Sequence, residues 1–206
     1  MTRPLSDTWG FDRGTPVDRY YIEHFLERHA SDIRGRVLEM KSSVYTKRFG
    51  TGVHTADVLD IDASNADATI IADLSATATL PESRFDCFIL TQTLQFIFEV
   101  ESAIASAHRL LSPGGTLLVT VPCVSRVAPR YGQDTDYWRF TPASCRRLFA
   151  SAFGAEHVEV EPLGNVAACV AFLRGAAVEE IPRRVLDSND PDFPVVVALR
   201  TVKRGT

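Results

Sequence analysis

Residues 37–50 read VLEMKSSVYTKRFG, and this stretch decides the fold. An apolar strand runs into an acidic residue, Glu39, and then into a tight turn, which is how many ligand-binding α/β domains begin. Such domains usually place glycine in the turn, because a residue without Cβ lets the backbone approach a ligand closely. Here the turn contains Lys41, and the next glycine is Gly50. The stretch therefore indicates the scaffold clearly and leaves its binding chemistry open.

The bulk composition favours a soluble, cytoplasmic protein. The chain has 206 residues, 45% of them hydrophobic and 23% charged, which is enough for a sizeable core in one domain. A net charge of −4 argues against a general nucleic-acid binder, and no apolar run is long enough to span a membrane. The four cysteines are widely spaced, which is typical of reduced thiols rather than of disulfides or a metal site.

Strand and helix patterns alternate outward from the opening stretch. Near-continuous apolar strands separated by amphipathic helices predict a doubly wound, mostly parallel seven-stranded sheet with helices on both faces and an antiparallel last strand. We predict strands over residues 36–40, 53–59, 68–72, 85–90, 116–121, 157–161 and 193–202, and helices over residues 44–49, 100–111, 141–153 and 166–179.

The N-terminal segment has a different character. Residues 1–14 are polar and carry two glycines, which predicts an arm. A helix then begins with Thr15 as its N-cap and Pro16 at its first position, and it ends before residue 31. We predict a single domain over residues 1–206, in which residues 1–30 form an arm and a lid helix.

Several linked motifs between residues 34 and 153 resemble the class I S-adenosylmethionine-dependent methyltransferases. Glu39 stands where that family ends its first strand, and Asp57 stands where an acidic residue receives the ribose hydroxyls. Asp73 and Leu74 match the segment that meets the adenine. Residues 85–90 and the LSPGG turn at residues 111–115 resemble the family's fourth strand and the turn into its fifth.

The resemblance implies S-adenosylmethionine as the cofactor. Ligands of open α/β sheets sit beyond the carboxyl ends of the strands, where these acidic residues fall. A simpler interpretation is that each carboxylate caps the following helix. The cofactor-binding residues that the resemblance implies are Glu39, Lys41, Ser42, Tyr45, Asp57, Asp73, Leu74 and Thr91.

Lys41 departs from the family pattern, because it stands in a loop that normally contains glycine. Its ammonium group could pair with the cofactor carboxylate or with Glu39, which leaves binding altered but intact. Alternatively, the side chain could fill the pocket and abolish binding. A lysine side chain reaches solvent readily, so the substitution alone does not decide between the two.

The loop after the fifth strand supplies candidates for acceptor binding. Residues 137–141 read YWRFT and resemble a segment of methyltransferases that act on sugars and small natural products. The aromatic residues could instead anchor the loop to the core. Candidate catalytic residues are Asp136, Tyr137 and His24, candidate substrate-binding residues are Tyr20, Tyr21, Asp134, Trp138 and Arg139, and no motif predicts a metal site.

The sequence thus predicts methyl transfer to a small-molecule acceptor, a hydroxyl of a sugar or secondary metabolite. Two alternatives stay open. The chain could be a methyltransferase-like protein that has lost the cofactor and serves as a binding or scaffold partner, or it could catalyse a step other than methylation on a metabolite. We expect no nucleic-acid or membrane partner, and a homodimer is left open.

Overall fold

The structure is a computed structural model that describes residues 2–76, 80–128 and 133–205. Its strands are β1 (Gly35–Met40), β2 (Val53–Asp60), β3 (Ile70–Ile71), β4 (Phe85–Thr91), β5 (Leu111–Pro122), β6 (Val158–Leu163) and β7 (Val196–Val202). Among the described residues these strands form one sheet in the order β3-β2-β1-β4-β5-β7-β6. β7 is antiparallel to β5 and β6, and the other pairs are parallel. The predicted fold class is confirmed.

Helices cover both faces of the sheet, and side chains alternate between two cores. The helices are α1 (Val17–Arg28), α2 (Val44–Phe49), α3 (Val100–Leu110), α4 (Pro142–Phe153), α5 (Val166–Arg174) and α6 (Arg183–Leu186). On β4, Phe88 and Leu90 pack towards the α3 and α4 side, whereas Cys87 and Ile89 pack towards the α1 and α5 side. This period of two, with both faces apolar, is what a parallel sheet between helical layers requires.

Several predicted boundaries were wrong for identifiable reasons. β2 continues to Asp60, one residue beyond the predicted strand, and β3 has two residues rather than the five predicted. The predicted turn after α3 lies inside β5, because Gly114 and Gly115 exchange backbone hydrogen bonds with Lys203. α5 ends at Arg174 rather than near residue 179, because Gly175 adopts a left-handed conformation with a φ of 73°.

The N-terminal arm and α1 are tied to the C-terminal half of the chain. The Leu5 amide donates to the Arg174 carbonyl at 2.7 Å, and the Trp9 indole donates to the Ser125 hydroxyl at 3.3 Å. Thr15 does not cap α1 as predicted, because its amide and hydroxyl both donate to the Glu179 carboxylate. α1 begins instead at Val17, directly after Pro16. The arm therefore lies across the loop that follows β5.

The four cysteines are free thiols, and three of them are buried. Burial raises the pKa of Cys145 to about 12, so its thiolate is scarce at neutral pH. None of the helices in the described parts of the chain is long and apolar enough to cross a membrane.

Candidate functional site

A large cavity opens at the carboxyl ends of β1, β2 and β4, and we call it the first cavity. Its volume is about 890 Å³, within the range of small-molecule sites. β1 lies between β2 and β4 in the sheet, so the strand order reverses here, and open α/β sheets bind ligands at such a point. The first cavity is therefore where the fold predicts a ligand.

The turn after β1 adopts the glycine-like conformation without a glycine. Lys41 has a φ of 65°, and the Ser42 amide donates to the Met40 carbonyl at 2.8 Å, which closes a three-residue turn. The Lys41 amide donates to the Leu59 carbonyl at 2.9 Å, so the turn is also held by β2. The Lys41 side chain is exposed and lines the first cavity, which has its volume of about 890 Å³ with the lysine in place.

Glu39 supports this turn from beneath. Its carboxylate is buried and accepts hydrogen bonds from the Tyr45 amide at 3.0 Å and from the Thr46 amide and hydroxyl at 2.8 Å each. Burial raises the pKa of Glu39, while these donors act in the opposite direction. Glu39 thus holds the N-terminus of α2 in place, as the capping interpretation predicts, and also lines the first cavity.

The prediction that Asp57 binds the cofactor was wrong, because Asp57 lies inside β2 rather than at its end. Its carboxylate accepts from Arg36 Nε at 2.8 Å and from the Thr69 hydroxyl at 3.0 Å, away from the first cavity. Asp60 is the residue at the end of β2 and lines the cavity. It is buried, and Asn65 donates to its carboxylate at 2.7 Å.

Other predicted residues do meet in the first cavity. Asp73 lies in a turn in which the Ser75 amide and hydroxyl both donate to Oδ1 at 2.8 Å. Tyr45 contacts α1, since Arg19 donates to its hydroxyl at 3.3 Å. The predicted cofactor-binding residues that line the first cavity are Glu39, Lys41, Ser42, Tyr45, Asp73, Leu74 and Thr91.

Exposed apolar side chains surround the mouth of the first cavity. Large exposed apolar groups that cluster around a concavity mark a ligand or partner site. Sequence reasoning missed most of them, because isolated apolar residues in loops carry no periodic signal. The group consists of Phe11, Val44, Ile61, Phe98 and Tyr137.

A second cavity of about 510 Å³ adjoins the first, and we call it the second cavity. It lies under the N-terminal arm, against α1, the turn after β4 and the loop after β5. Because the two cavities share lining residues, ligands bound in them would be neighbours. The shared residues are Phe11, Arg19, Gln92 and Phe96.

The predictions that placed His24, Tyr20 and Tyr21 at the site were wrong, because these residues point to the other side of α1. His24 Nδ1 donates to the Tyr20 carbonyl at 2.7 Å, and Arg183 donates to its Nε2 at 3.0 Å, so both ring nitrogens are engaged. The Tyr20 hydroxyl donates to Asp187, and Tyr21 is buried beside it. None of the three lines either cavity as described.

The predicted site residues in the loop after β5 have two roles: some anchor the loop and others line a cavity. Asp136 and Arg139 line the second cavity and pair with each other through two contacts of 2.6 and 2.9 Å. Burial alone would raise the pKa of Asp136, but Arg139 and the Ala128 amide outweigh it and lower that pKa. Asp136 thus holds the loop through Arg139 and the Ala128 amide, and its catalytic role stays a prediction.

The aromatic residues of this loop also differ in role. Trp138 donates to the Ile97 carbonyl at 3.0 Å and stacks on Phe98, so it anchors the loop, as the alternative interpretation predicts. Tyr137 lines the first cavity. Asp134 is exposed and is not among the described residues that line either cavity, so its contact with substrate stays a prediction.

Comparison with known proteins agrees with this geometry. Residues 37–119 match the family model described as a methyltransferase domain. The predicted resemblance is confirmed: the chain has the class I methyltransferase fold, and the part of it from β1 into β5 matches the methyltransferase-domain model. None of the curated proteins compared with the chain matched it.

Solved structures share the fold at low sequence identity. The (4+2)-cyclase SpnF is 15% identical, with a TM-score of 0.59, and the alignment covers 100% of this chain and 88% of that one. A methyltransferase from Archaeoglobus fulgidus is 12% identical, with a TM-score of 0.56 and coverage of 90% and 94%. One from Mesorhizobium loti is 15% identical, with a TM-score of 0.56 and coverage of 86% and 95%.

Proposed function

We propose that the chain transfers a methyl group from S-adenosylmethionine to a hydroxyl of a small molecule, a sugar or secondary metabolite. The observation that carries the proposal is the first cavity. It lies at the reversal of strand order, it is large enough for a nucleoside ligand, and apolar side chains surround its mouth. The matched methyltransferase domain contains the strands that build it.

The residues of the first cavity fit the cofactor. Asp60 presents a carboxylate at the end of β2, where vicinal ribose hydroxyls can donate to it with charge-assisted strength. Leu74 and Ile61 offer apolar faces for the adenine. The turn at Lys41 keeps its amides in place through β2 and leaves the cavity open. When bound, S-adenosylmethionine supplies an electrophilic methyl group.

The choice of an uncharged acceptor is supported by the second cavity. Its described lining carries three carboxylates and three guanidinium groups, so it has no excess of either sign. The adjacent loop contains the YWRFT segment that resembles sugar and natural-product methyltransferases. A positioned nucleophile close to the methyl group supplies most of the rate acceleration that such a reaction needs.

Calorimetric titration tests the cofactor part of the proposal. We expect S-adenosylmethionine and S-adenosylhomocysteine to bind with dissociation constants on the order of micromolar and to raise Tm by mass action. Absence of heat and of a Tm shift at millimolar ligand would overturn the proposal. Binding without release of S-adenosylhomocysteine over a panel of hydroxylated acceptors would favour the alternative reactions.

A further inference from the structure

We infer that the second cavity is the acceptor site and that it takes an uncharged polyhydroxylated ring, such as a hexopyranoside, held by Asp18, Gln92 and Gln95. This inference rests on the proposed function, since it names the acceptor class and the place where the acceptor binds. It assigns roles to three residues that the sequence motifs do not single out.

Unsatisfied polar atoms that belong to residues lining the second cavity carry the inference. In the described part of the chain, seven buried side-chain oxygen or nitrogen atoms have no hydrogen-bond partner in the structure. Three of them, Asp18 Oδ1, Gln92 Nε2 and Gln95 Oε1, belong to residues that line the second cavity. Each unpaired buried polar atom costs roughly 1–3 kcal/mol, so native proteins rarely gather them without a partner.

Gln95 is the most informative of the three. It is 6% exposed, and its Nε2 donates to the Gln92 carbonyl at 3.0 Å, which fixes the side chain. Its backbone carbonyl accepts from the Tyr137 amide at 2.8 Å, so the turn after β4 is locked to the loop after β5. The unpaired Oε1 is therefore held rigidly, which is typical of a preorganised recognition group.

The chemistry of the three atoms selects the ligand. Asp18 Oδ1 and Gln95 Oε1 can accept hydrogen bonds, whereas Gln92 Nε2 donates one. A hydroxyl both donates and accepts, so a ligand with several hydroxyls offers the donors and the acceptor that these three atoms require. Burial raises the pKa of Asp18, and a hydroxyl that donates to it would reverse part of that rise.

The rest of the wall suits a ring with an apolar face. Aromatic side chains line the second cavity at Trp9, Phe11, Phe96 and Phe172. Asp136 pairs with Arg139 there, and Ser6 and Thr8 donate to Asp12. Because Asp18 is proposed to contact the ligand, a carboxylate on the sugar would be repelled, and an acidic sugar should bind more weakly.

Ligand-observed NMR and calorimetry on the full chain test the inference, with and without saturating S-adenosylhomocysteine. The probes are the methyl α-glycosides of glucose, galactose, mannose and rhamnose. The comparison ligands are 2-methoxytetrahydropyran, which keeps the ring without hydroxyls, and glucuronate, which adds a negative charge. We expect at least one glycoside to bind at least about tenfold more tightly than each comparison ligand.

Variants connect binding to the assigned residues. Asp18→Asn removes the charge of one acceptor and Gln92→Met removes one donor, so each should weaken glycoside binding about five- to tenfold. Cofactor affinity should be unchanged in Asp18→Asn, because Asp18 lines the second cavity and is not among the described residues of the first. Glu27→Gln makes the same carboxylate-to-amide change at an exposed position of α1 and should leave binding unaltered. Circular dichroism and Tm check that each variant is folded. Each of the two variants removes a different proposed contact with the glycoside, so either one tests the inference by itself.

The outcomes separate this inference from the proposed function. If the cofactor binds and none of the glycosides does, or if both variants bind like the wild type, the inference is overturned and the proposed function stands. Equal binding of 2-methoxytetrahydropyran also overturns it. If glycosides bind and the variants weaken them while the cofactor gives no heat, the proposed function fails and the sugar site remains.

Discussion

The two cavities differ in how their polar groups are satisfied. In the first cavity, the carboxylates of Glu39, Asp60 and Asp73 all accept hydrogen bonds from neighbouring turns. In the second cavity, Asp18 and Gln95 each keep a buried atom without a partner. These carboxylates of the first cavity are thus satisfied before a ligand arrives, whereas the second cavity leaves bonds for its ligand to make; Gln92, whose Nε2 has no partner, lines both cavities.

This difference separates two ways of building a site. Where the polar groups of a site already have hydrogen-bond partners in neighbouring turns, the site keeps one geometry without a cost in stability. Such a site suits a ligand shared by a whole family. Unpaired buried groups lower stability but discriminate sharply between ligands, because a ligand that lacks the matching group leaves them unpaired. Removing an unpaired group of the second cavity should therefore raise stability and weaken ligand binding. Removing a group that already has partners should not raise stability in this way.

The largest effect is expected at Asp60. Asp60→Asn removes the charge at the end of β2 and should weaken S-adenosylmethionine binding about 10- to 100-fold, since a hydrogen bond to a charged group contributes roughly 1.5–3 kcal/mol. The measurement is calorimetric titration. Asp57→Asn is the matched control, because Asp57 lies inside β2 and pairs with Arg36 of the neighbouring strand β1. It should reduce stability and leave affinity unchanged; a loss of affinity at Asp57 alone would contradict this assignment.

The next effect concerns the pair that holds the loop after β5. Asp136→Asn should lower the free energy of unfolding by roughly 1–3 kcal/mol at pH 7, between the values for exposed and buried pairs. The pKa of Asp136 is lowered in the folded state, so its contribution is present above the unfolded pKa of about 4 and is lost as pH falls through the folded pKa. Denaturant unfolding of both proteins measures this, and a difference that persists unchanged into strong acid would contradict it.

The stability contribution of Asp18 should change with pH in the direction opposite to that of Asp136. Burial raises its pKa in the folded state, so its contribution to stability is full below the unfolded pKa of about 4 and is lost as pH rises through the folded pKa. Asp18→Asn should therefore stabilise the empty protein by about 1 kcal/mol at pH 8, the lower cost of an unpaired buried acceptor, and the gain should vanish in acid. Tm measured across pH tests this, and a loss of Tm at pH 8 would show that Asp18 already has a partner.

The order of strands and helices could be predicted from the sequence, because the spacing of apolar residues and the positions of turn residues are local signals. The residue at the end of β2 was misplaced, because Asp57 and Asp60 are both acidic. The intervening Val58 and Leu59 continue the strand, which was the available signal. Strand ends depend on pairing: Met40 lies opposite Leu59, so β2 has to reach as far as β1 does.

Helix α1 shows a second limit of sequence reasoning. Its helical period separates a face with Arg19 and Glu23, which line the first cavity, from a face with Tyr20 and His24, which packs beside α6. Periodicity shows that the helix has faces, but not which face meets the site. Functional roles were predicted from the sequence for the tyrosines and the histidine of this helix, whereas the side of the helix that faces the second cavity carries Asp18 and Arg19.

The smallest effect is expected at Lys41, which adopts a φ of 65° that costs most residues roughly 1–2 kcal/mol. Lys41→Gly relieves that strain, but glycine also gains freedom in the unfolded chain, so the net stabilisation should stay below about 1 kcal/mol. Because the side chain is exposed, affinity for S-adenosylmethionine should change less than about threefold. Lys41→Ala keeps the Cβ and removes the stem, so it separates backbone strain from obstruction by the side chain. If both variants gained more than about tenfold in affinity, the lysine stem would be filling the first cavity, and the wild-type chain would belong with the cofactor-free alternatives.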